Sequence, residues 1–230
     1  MRVLMTTDTL GGVFTYSMQL IRALRDEDVE VVLATFGRRM SVDQRRRAIA
    51  AGATDLDDTG LALEWMPDPW DELSEAEHRL LALERRERPD LVHLNAFAHG
   101  GAPFAAPVLV VGHSCVWSWW EAVHGETPPA PWDRYRALVR EGLSGADAVV
   151  APSQTMLGSL QRWYGPLPAR SVAIHNGIGH GAPAAAAVAK QPLVLSAGRL
   201  WDDAKNVVAL ARVAQRPALR DRVLLAGEGA

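Results

Sequence analysis

The feature that most constrains this chain is an alternation that runs through most of its length. Short apolar runs without polar interruption alternate with longer amphipathic segments. The candidate strands are Val3–Thr6, Val29–Ala34, Leu61–Trp65, Leu91–Leu94, Val108–Val111, Ala148–Ala151 and Val172–His175. Several are Val- and Leu-rich with no inward–outward alternation, the pattern of parallel strands buried on both faces. Between them the spacing predicts helices over Gly12–Arg25, Ser74–Arg88, Asp133–Leu143 and Ser153–Trp163. The first places Phe14, Met18 and Ile21 on one face. In the second, Ser74 and Glu77 stand at capping-box spacing, and Ser153 is a good N-cap for the fourth. Arg45, Arg46 and Arg47 fall in a polar helical stretch and read as a solvated face. Repeated strand–helix–strand units predict an α/β layered domain with a mainly parallel sheet.

That pattern holds to about residue 178. Gly179 to Pro183 and the alanines Ala184–Ala187 then break it, and residues 179–191 read as an interdomain linker. From Pro192 the pattern resumes as a strand over 192–197, a helix from about 203 to 215 and a strand over 222–226. The expected organisation is a first domain over 1–178, the linker, and the incomplete start of a second α/β domain over 192–230. One helix between two strands cannot cover both faces of a sheet, and a core normally needs more residues. The missing remainder is expected to be on the order of 100–150 residues.

Bulk properties remove several function classes. The net charge of −3 argues against a general nucleic-acid binder. Cys115 stands alone, so no intrachain disulfide can form, and a reducing cytoplasm is the expected compartment. No apolar run approaches a membrane span, and Met1–Thr6 turns polar too early for a signal peptide. Peripheral membrane contact stays open. No Cys/His metal spacing, nucleophile elbow or Walker glycine loop is present.

Four places could carry chemistry. Gly11 and Gly12 follow the first strand and open the first helix, where backbone can approach a ligand and free N–H groups can face an anion. A tight turn without ligand would use the same residues. The third glycine and downstream acid of a dinucleotide fingerprint are missing. His113 follows the run Val108–Gly112, at the strand edge where open α/β sheets bind ligands; His93 ends another strand. Either could equally be a packed histidine. Trp117, Trp119, Trp120 and Trp132 place four of the eight tryptophans within sixteen residues, suited to stacking on a sugar or to core packing. Finally, Gly198–Asn206 turns from strand to helix with Arg199 and Lys205 on the turn, a phosphate-binding layout. Lys205 is one of only two lysines in an arginine-rich chain.

Taken in order, these elements resemble the family-4 glycosyltransferases. The matches are Gly11-Gly12, Pro89–His93, His113, Ala146–Ser153, His175–Ile178, Gly198–Leu200 and Lys205-Asn206. The resemblance implies a retaining, nucleotide-sugar-dependent enzyme with two Rossmann-like domains, the GT-B architecture. The donor would be a nucleotide-diphosphate hexose, the acceptor a hydroxyl, and no metal would be needed. Arg199 and Lys205 would clamp the donor diphosphate and offset leaving-group charge, with Gly11 and Gly12 approaching the diphosphate or sugar from the first domain. His113 would act beside the transferred sugar as a hydrogen-bond partner. His93, Trp117 and Trp119 would serve the acceptor. Two departures stand out. The paired glutamates of the family's second domain have no counterpart here, and Gly179 replaces the acid after Asn-Gly-Ile. Little turnover is therefore expected of these 230 residues alone. Two other readings remain: a non-catalytic relative binding glycans or protein through residues 117–132, and a sugar-nucleotide epimerase of the same architecture.

Overall fold

The computed structural model describes residues 1–177, 191–216 and 221–227. Residues 1–118 with 128–177 form one compact unit. Residues 119–127 group with the described residues from 191 onward as a second. The linker expected over 179–191 lies, except for Gln191, outside the described residues.

The first unit is built on seven strands. They are β1 (Arg2–Asp8), β2 (Glu30–Phe36), β3 (Ala53–Asp58), β4 (Leu91–Leu94), β5 (Val108–Val111), β6 (Ala148–Ala151) and β7 (Ser171–Ala173). Their order across the sheet is β3-β2-β1-β4-β5-β6-β7, and every pairing is parallel. Parallel neighbours require crossovers, supplied here by α1 (Gly12–Arg25), α2 (Val42–Ala51), α3 (Trp70–Glu87), α4 (Val116–His124), α5 (Asp133–Gly145) and α6 (Gln154–Tyr164). The chain builds outward from β1 to β3, then returns to β4 on the other side of β1. A topological switch point therefore falls between β1 and β4, where such sheets bind ligands.

The unalternating strands are buried on both faces. On one face Val3, Met5, Val31 and Leu33 pack against Phe14, Met18 and Ile21 of α1 and Ala48 and Ala51 of α2. On the other, Leu4, Val32, Val92, Leu94 and Val110 meet Leu80 and Leu83 of α3, Val139 and Leu143 of α5 and Leu160 of α6. The apolar face expected for Gly12–Arg25 is the buried one. Ser153 caps α6 as its type suggests, accepting the Met156 N–H at 3.1 Å.

Two local expectations are corrected. Leu61–Trp65 is not a strand, because the chain turns at Gly60 (φ 72°) and runs through this stretch as turn and loop. Ala62, Leu63 and Glu64 are buried by that loop. The third strand is instead β3, whose Asp55, Asp57 and Asp58 pair with Arg86, Arg79 and Arg45 at 2.6, 2.5 and 3.5 Å. Ser74 does not cap a helix, since α3 starts a full turn earlier at Trp70.

The long β4–β5 connection is held by buried carboxylates. Glu64 accepts the Phe97 and Ala98 N–H groups at 3.0 Å each, and Glu84 accepts those of Ala105 and Ala106 at 2.7 and 2.9 Å. Burial pushes the Glu64 carboxyl upward, against the pull of those two backbone hydrogen bonds. Gly142 in α5 allows the same connection to pass close by: a Cβ there would collide with the Phe97 carbonyl.

In the second unit β8 (Leu193–Ala197) and β9 (Arg222–Ala226) pair in parallel, joined through α7 (Val207–Ala214). The helix expected over 203–215 is split. A 3-10 turn covers Asp203–Lys205, Asn206 adopts φ 46°, and α7 starts afterwards.

Candidate functional site

The switch-point edge is built from the ends of β1, β4 and β5 and the start of α1. Asp8 ends β1 and folds its carboxylate back on the turn, accepting the Leu10 and Gly11 N–H groups at 3.2 and 3.0 Å. Thr9 pins the turn to the end of β2 through the carbonyls of Phe36 and Arg38. Gly11 is the N-cap of α1 in extended backbone, and no side chain caps that helix. Neither glycine is demanded by backbone strain. A Cβ on Gly12 would meet nothing within 4 Å, and one on Gly11 only the Asp8 carboxylate, at 3.5 Å. Of the N–H groups at this helix start, that of Gly11 is already taken by Asp8.

Beside this turn, His113 lies two residues beyond β5, its Nε2 2.8 Å from Asn95 Oδ1. The Tyr16 ring meets the imidazole edge-on, with centroids 4.6 Å apart and planes at 71°. Asn95 follows β4 directly and is tied to β1 by two bonds. Its N–H donates to Thr6 Oγ1 at 2.9 Å, and its Nδ2 donates to the Thr6 carbonyl at 2.7 Å. Ser17 of α1 donates to Thr7 Oγ1 at 2.9 Å and completes the network. Burial lowers the His113 pKa to about 4. Asn95, Tyr16 and Ser17 were not singled out from sequence. The available signal was a polar residue immediately after the strand beside the switch point.

His93 is 5% exposed in the middle of the sheet, so its ring is not open to a ligand in this structure. Among the described residues its Nε2 has no hydrogen-bond partner, and burial lowers its pKa to about 4 against the upward pull of the Asn95 side chain. Trp117 is also 5% exposed. It packs against Trp163 at 5.4 Å with the Arg136 guanidinium 4.4 Å over its ring, so core packing is the role visible here. Trp119 is half-buried, its ring edge-on to Trp120 at 6.1 Å and to His124 at 5.5 Å.

In the second unit the turn after β8 carries both expected cations. Arg199 Nη2 donates to Asp202 Oδ2 at 2.6 Å, and Asp202 Oδ1 accepts the Ala204 N–H at 3.1 Å. Burial raises the Asp202 carboxyl, but the hydrogen bonds from Arg199 and Ala204 and the charges of Arg199 and Lys205 outweigh it and hold the pKa below the usual range. The Arg199 guanidinium also lies 5.2 Å over the Trp201 ring. The Lys205 stem runs beside Gly198, where a Cβ would sit 3.6 Å from its Cδ. Arg199 and Lys205 thus share one exposed turn, oriented by a buried aspartate that sequence reasoning passed over. Its signal was the i,i+3 spacing from Arg199.

A cleft of about 520 Å³ opens at the opposite, N-terminal edge of the sheet. Its Arg2 binds Glu30, Glu87 and Asp90, so that lining satisfies itself. Among the described residues no three His, Cys, Asp or Glu side chains group to hold a metal, and no helix is long and apolar enough to cross a membrane.

Comparison with known proteins follows the same elements. The family model for Glycosyltransferase Family 4 matches residues 10–181. No curated protein sequence matches the chain. Among solved structures, the Anabaena Alr3699/HepE protein in complex with UDP and glucose is 13% identical with a TM-score of 0.59, over 100% of this chain and 70% of that one. A UDP-N-acetylglucosamine 2-epimerase is 15% identical with a TM-score of 0.59, over 98% and 62%. A glycosyltransferase from Rickettsia africae ESF-5 is 12% identical with a TM-score of 0.56, over 99% and 68%. The chain therefore spans about two thirds of the length of these structures, and at such identities they bear on the fold alone.

Proposed function

The chain belongs to Glycosyltransferase Family 4, and from that premise we propose that it acts in transferring a hexose from a nucleotide-diphosphate sugar to a hydroxyl, with retention of anomeric configuration. The observation that carries this reading is that the matched segment, 10–181, contains the part of the switch-point edge that carries Gly11, Gly12, Asn95 and His113. In this reading Arg199 and Lys205 hold the donor diphosphate and offset the charge that develops as the nucleotide leaves. The exposed, paired turn around Asp202 supports that role, because a diphosphate oxygen can join or replace the Asp202 carboxylate on the guanidinium. Gly12 gives the sugar an unobstructed approach to the start of α1. His113 hydrogen-bonds the sugar as a neutral imidazole. Trp119, half-buried, is assigned to the acceptor side; His93 and Trp117, expected there too, are buried in this structure. The reaction needs no metal in this scheme, and the protein works in the cytoplasm, with membrane contact at most peripheral.

The test is incubation of the protein with UDP-, GDP- and ADP-hexoses in the presence and absence of hydroxyl acceptors, followed by NMR of the product. A glycoside with the donor's anomeric configuration is the expected outcome. An inverted product removes the retaining assignment. The fold shared with a UDP-N-acetylglucosamine 2-epimerase supports a second reading, favoured if donor is converted with no acceptor present.

A further inference from the structure

We propose that Asn95 is a positioning residue for His113: it fixes the imidazole as its Nε2–H tautomer and leaves Nδ1 as an acceptor for a ligand hydroxyl. The hydroxyl half of this proposal rests on the glycosyl-transfer reading above; the tautomer half does not.

The inference begins at an atom that can only accept. The Thr6 carbonyl lies 2.7 Å from the Asn95 side-chain amide, so the amide atom facing it must be the NH₂ group. That assignment turns Oδ1 toward His113. An amide oxygen has no proton to give, so the imidazole nitrogen 2.8 Å away must donate. The Asn95 backbone cannot drift to relax this geometry, because its N–H is held by Thr6 Oγ1 at 2.9 Å. Ser17 Oγ, itself donating to Thr7, lies 3.5 Å from Nδ2 on the remaining side. Tyr16 braces the ring edge-on and limits its rotation.

With Nε2 protonated, a neutral imidazole has one lone pair left, on Nδ1. Among the described residues Nδ1 has no hydrogen-bond partner. Burial lowers the His113 pKa to about 4, so the ring is uncharged at neutral pH. The titratable side chains around it do not reverse this. Tyr16 from α1 is pushed upward by burial and stays a neutral phenol, and His93 from β4 is itself neutral. His113 is therefore unsuited to clamp a phosphate as a cation. It matches a ligand group that donates a hydrogen bond, which a sugar hydroxyl does.

The experiment is nitrogen NMR of the histidine rings in the ¹⁵N-labelled chain, with His113→Gln for assignment and the variants Asn95→Leu and Asn95→Asp. In the unsubstituted protein His113 should show a protonated Nε2 and an unprotonated Nδ1, with no titration between pH 8 and about 5. Asn95→Leu, which removes the acceptor, should bring in the Nδ1–H tautomer. Asn95→Asp, which adds a charged acceptor, should raise the His113 titration by about one unit or more. A protonated Nδ1 or an imidazolium at pH 7 in the unsubstituted protein overturns the proposal without any variant having to fold. So does an Asn95→Leu spectrum with unchanged ring nitrogens. If a nucleotide sugar binds by calorimetry yet leaves the Nδ1 resonance unmoved, the hydroxyl assignment falls. If no nucleotide sugar binds, the functional reading falls while the tautomer result stands.

Discussion

Val31 and Leu33 in β2 are 0% exposed, whereas Leu195 in β8 is 60% exposed and Leu224 and Leu225 in β9 are 41% and 39% exposed. All three strands are rich in Val, Leu and Ala and pair in the same parallel sense. They differ in what covers them. The seven-stranded sheet has α1 and α2 on one face and α3, α5 and α6 on the other. β8 and β9 have one connecting helix, and among the described residues the second unit contributes no buried apolar side chain. An apolar run specifies a strand; layers on both sides make it a core. The polar groups differ in parallel. Asn95 and His113 are locked by neighbours and uncharged, while Arg199 and Lys205 are exposed cations on one turn, steadied by Asp202.

The largest expected effect separates the two sheets directly. Leu33→Ala should destabilise the first unit by about 2–5 kcal/mol, and Leu195→Ala should change stability by about 0.5 kcal/mol or less. Denaturant unfolding of both variants checks this, and equal costs would break the comparison.

Acid should act next, and on the first unit. His93 and His99 are 5% and 6% exposed and held neutral by burial, with pKa values near 4 against 6.5 for a free side chain. Between these values the unfolded chain binds more protons than the folded one, so stability rises with pH across the window and is lost as pH falls from about 6.5 to 4. At about 1.4 kcal/mol per pK unit, the loss should reach a few kcal/mol. Glu64 works with opposite sign, since a raised carboxyl favours the fold on the acid side. Thermal unfolding between pH 4 and 7, with His99→Gln flattening the slope, tests the assignment.

A smaller effect distinguishes the helix caps. Ser153→Ala removes a made cap and should cost about 1 kcal/mol. Asn206, at the head of α7, makes no side-chain cap and sits at φ 46°. Asn206→Gly should therefore be neutral or stabilising by about a few tenths of a kcal/mol. Melting temperatures of the two variants settle the order.

Much of the first unit was legible because its strands are apolar without alternation and its helices carry one apolar stripe. β3 was not, because half of its six residues are aspartates that depend on Arg45, Arg79 and Arg86 from distant segments. The stretch 61–65 looked like a strand because it is apolar, yet its burial comes from a loop packing on Phe36 and Leu94. At the site, Gly11, Gly12 and His113 could be found from their position after strands. Asn95 could not be assigned a role without the register that sets it beside Thr6, and the ion pair of Asp202 became visible only in the turn. The burial of Trp117 was likewise hidden, since a tryptophan-rich helix reads the same whether it faces a ligand or the core.

The central proposal is that the Arg199–Lys205 turn supplies the charge that holds a diphosphate. Calorimetric titration of the protein and of its Arg199→Ala/Lys205→Ala variant with UDP, GDP and ADP tests it most directly. The account predicts saturable binding of one of these nucleotides and at least a roughly 100-fold loss in the variant, about 2.7 kcal/mol. Binding that survives the double substitution undiminished, or no binding of any of the three, would contradict it.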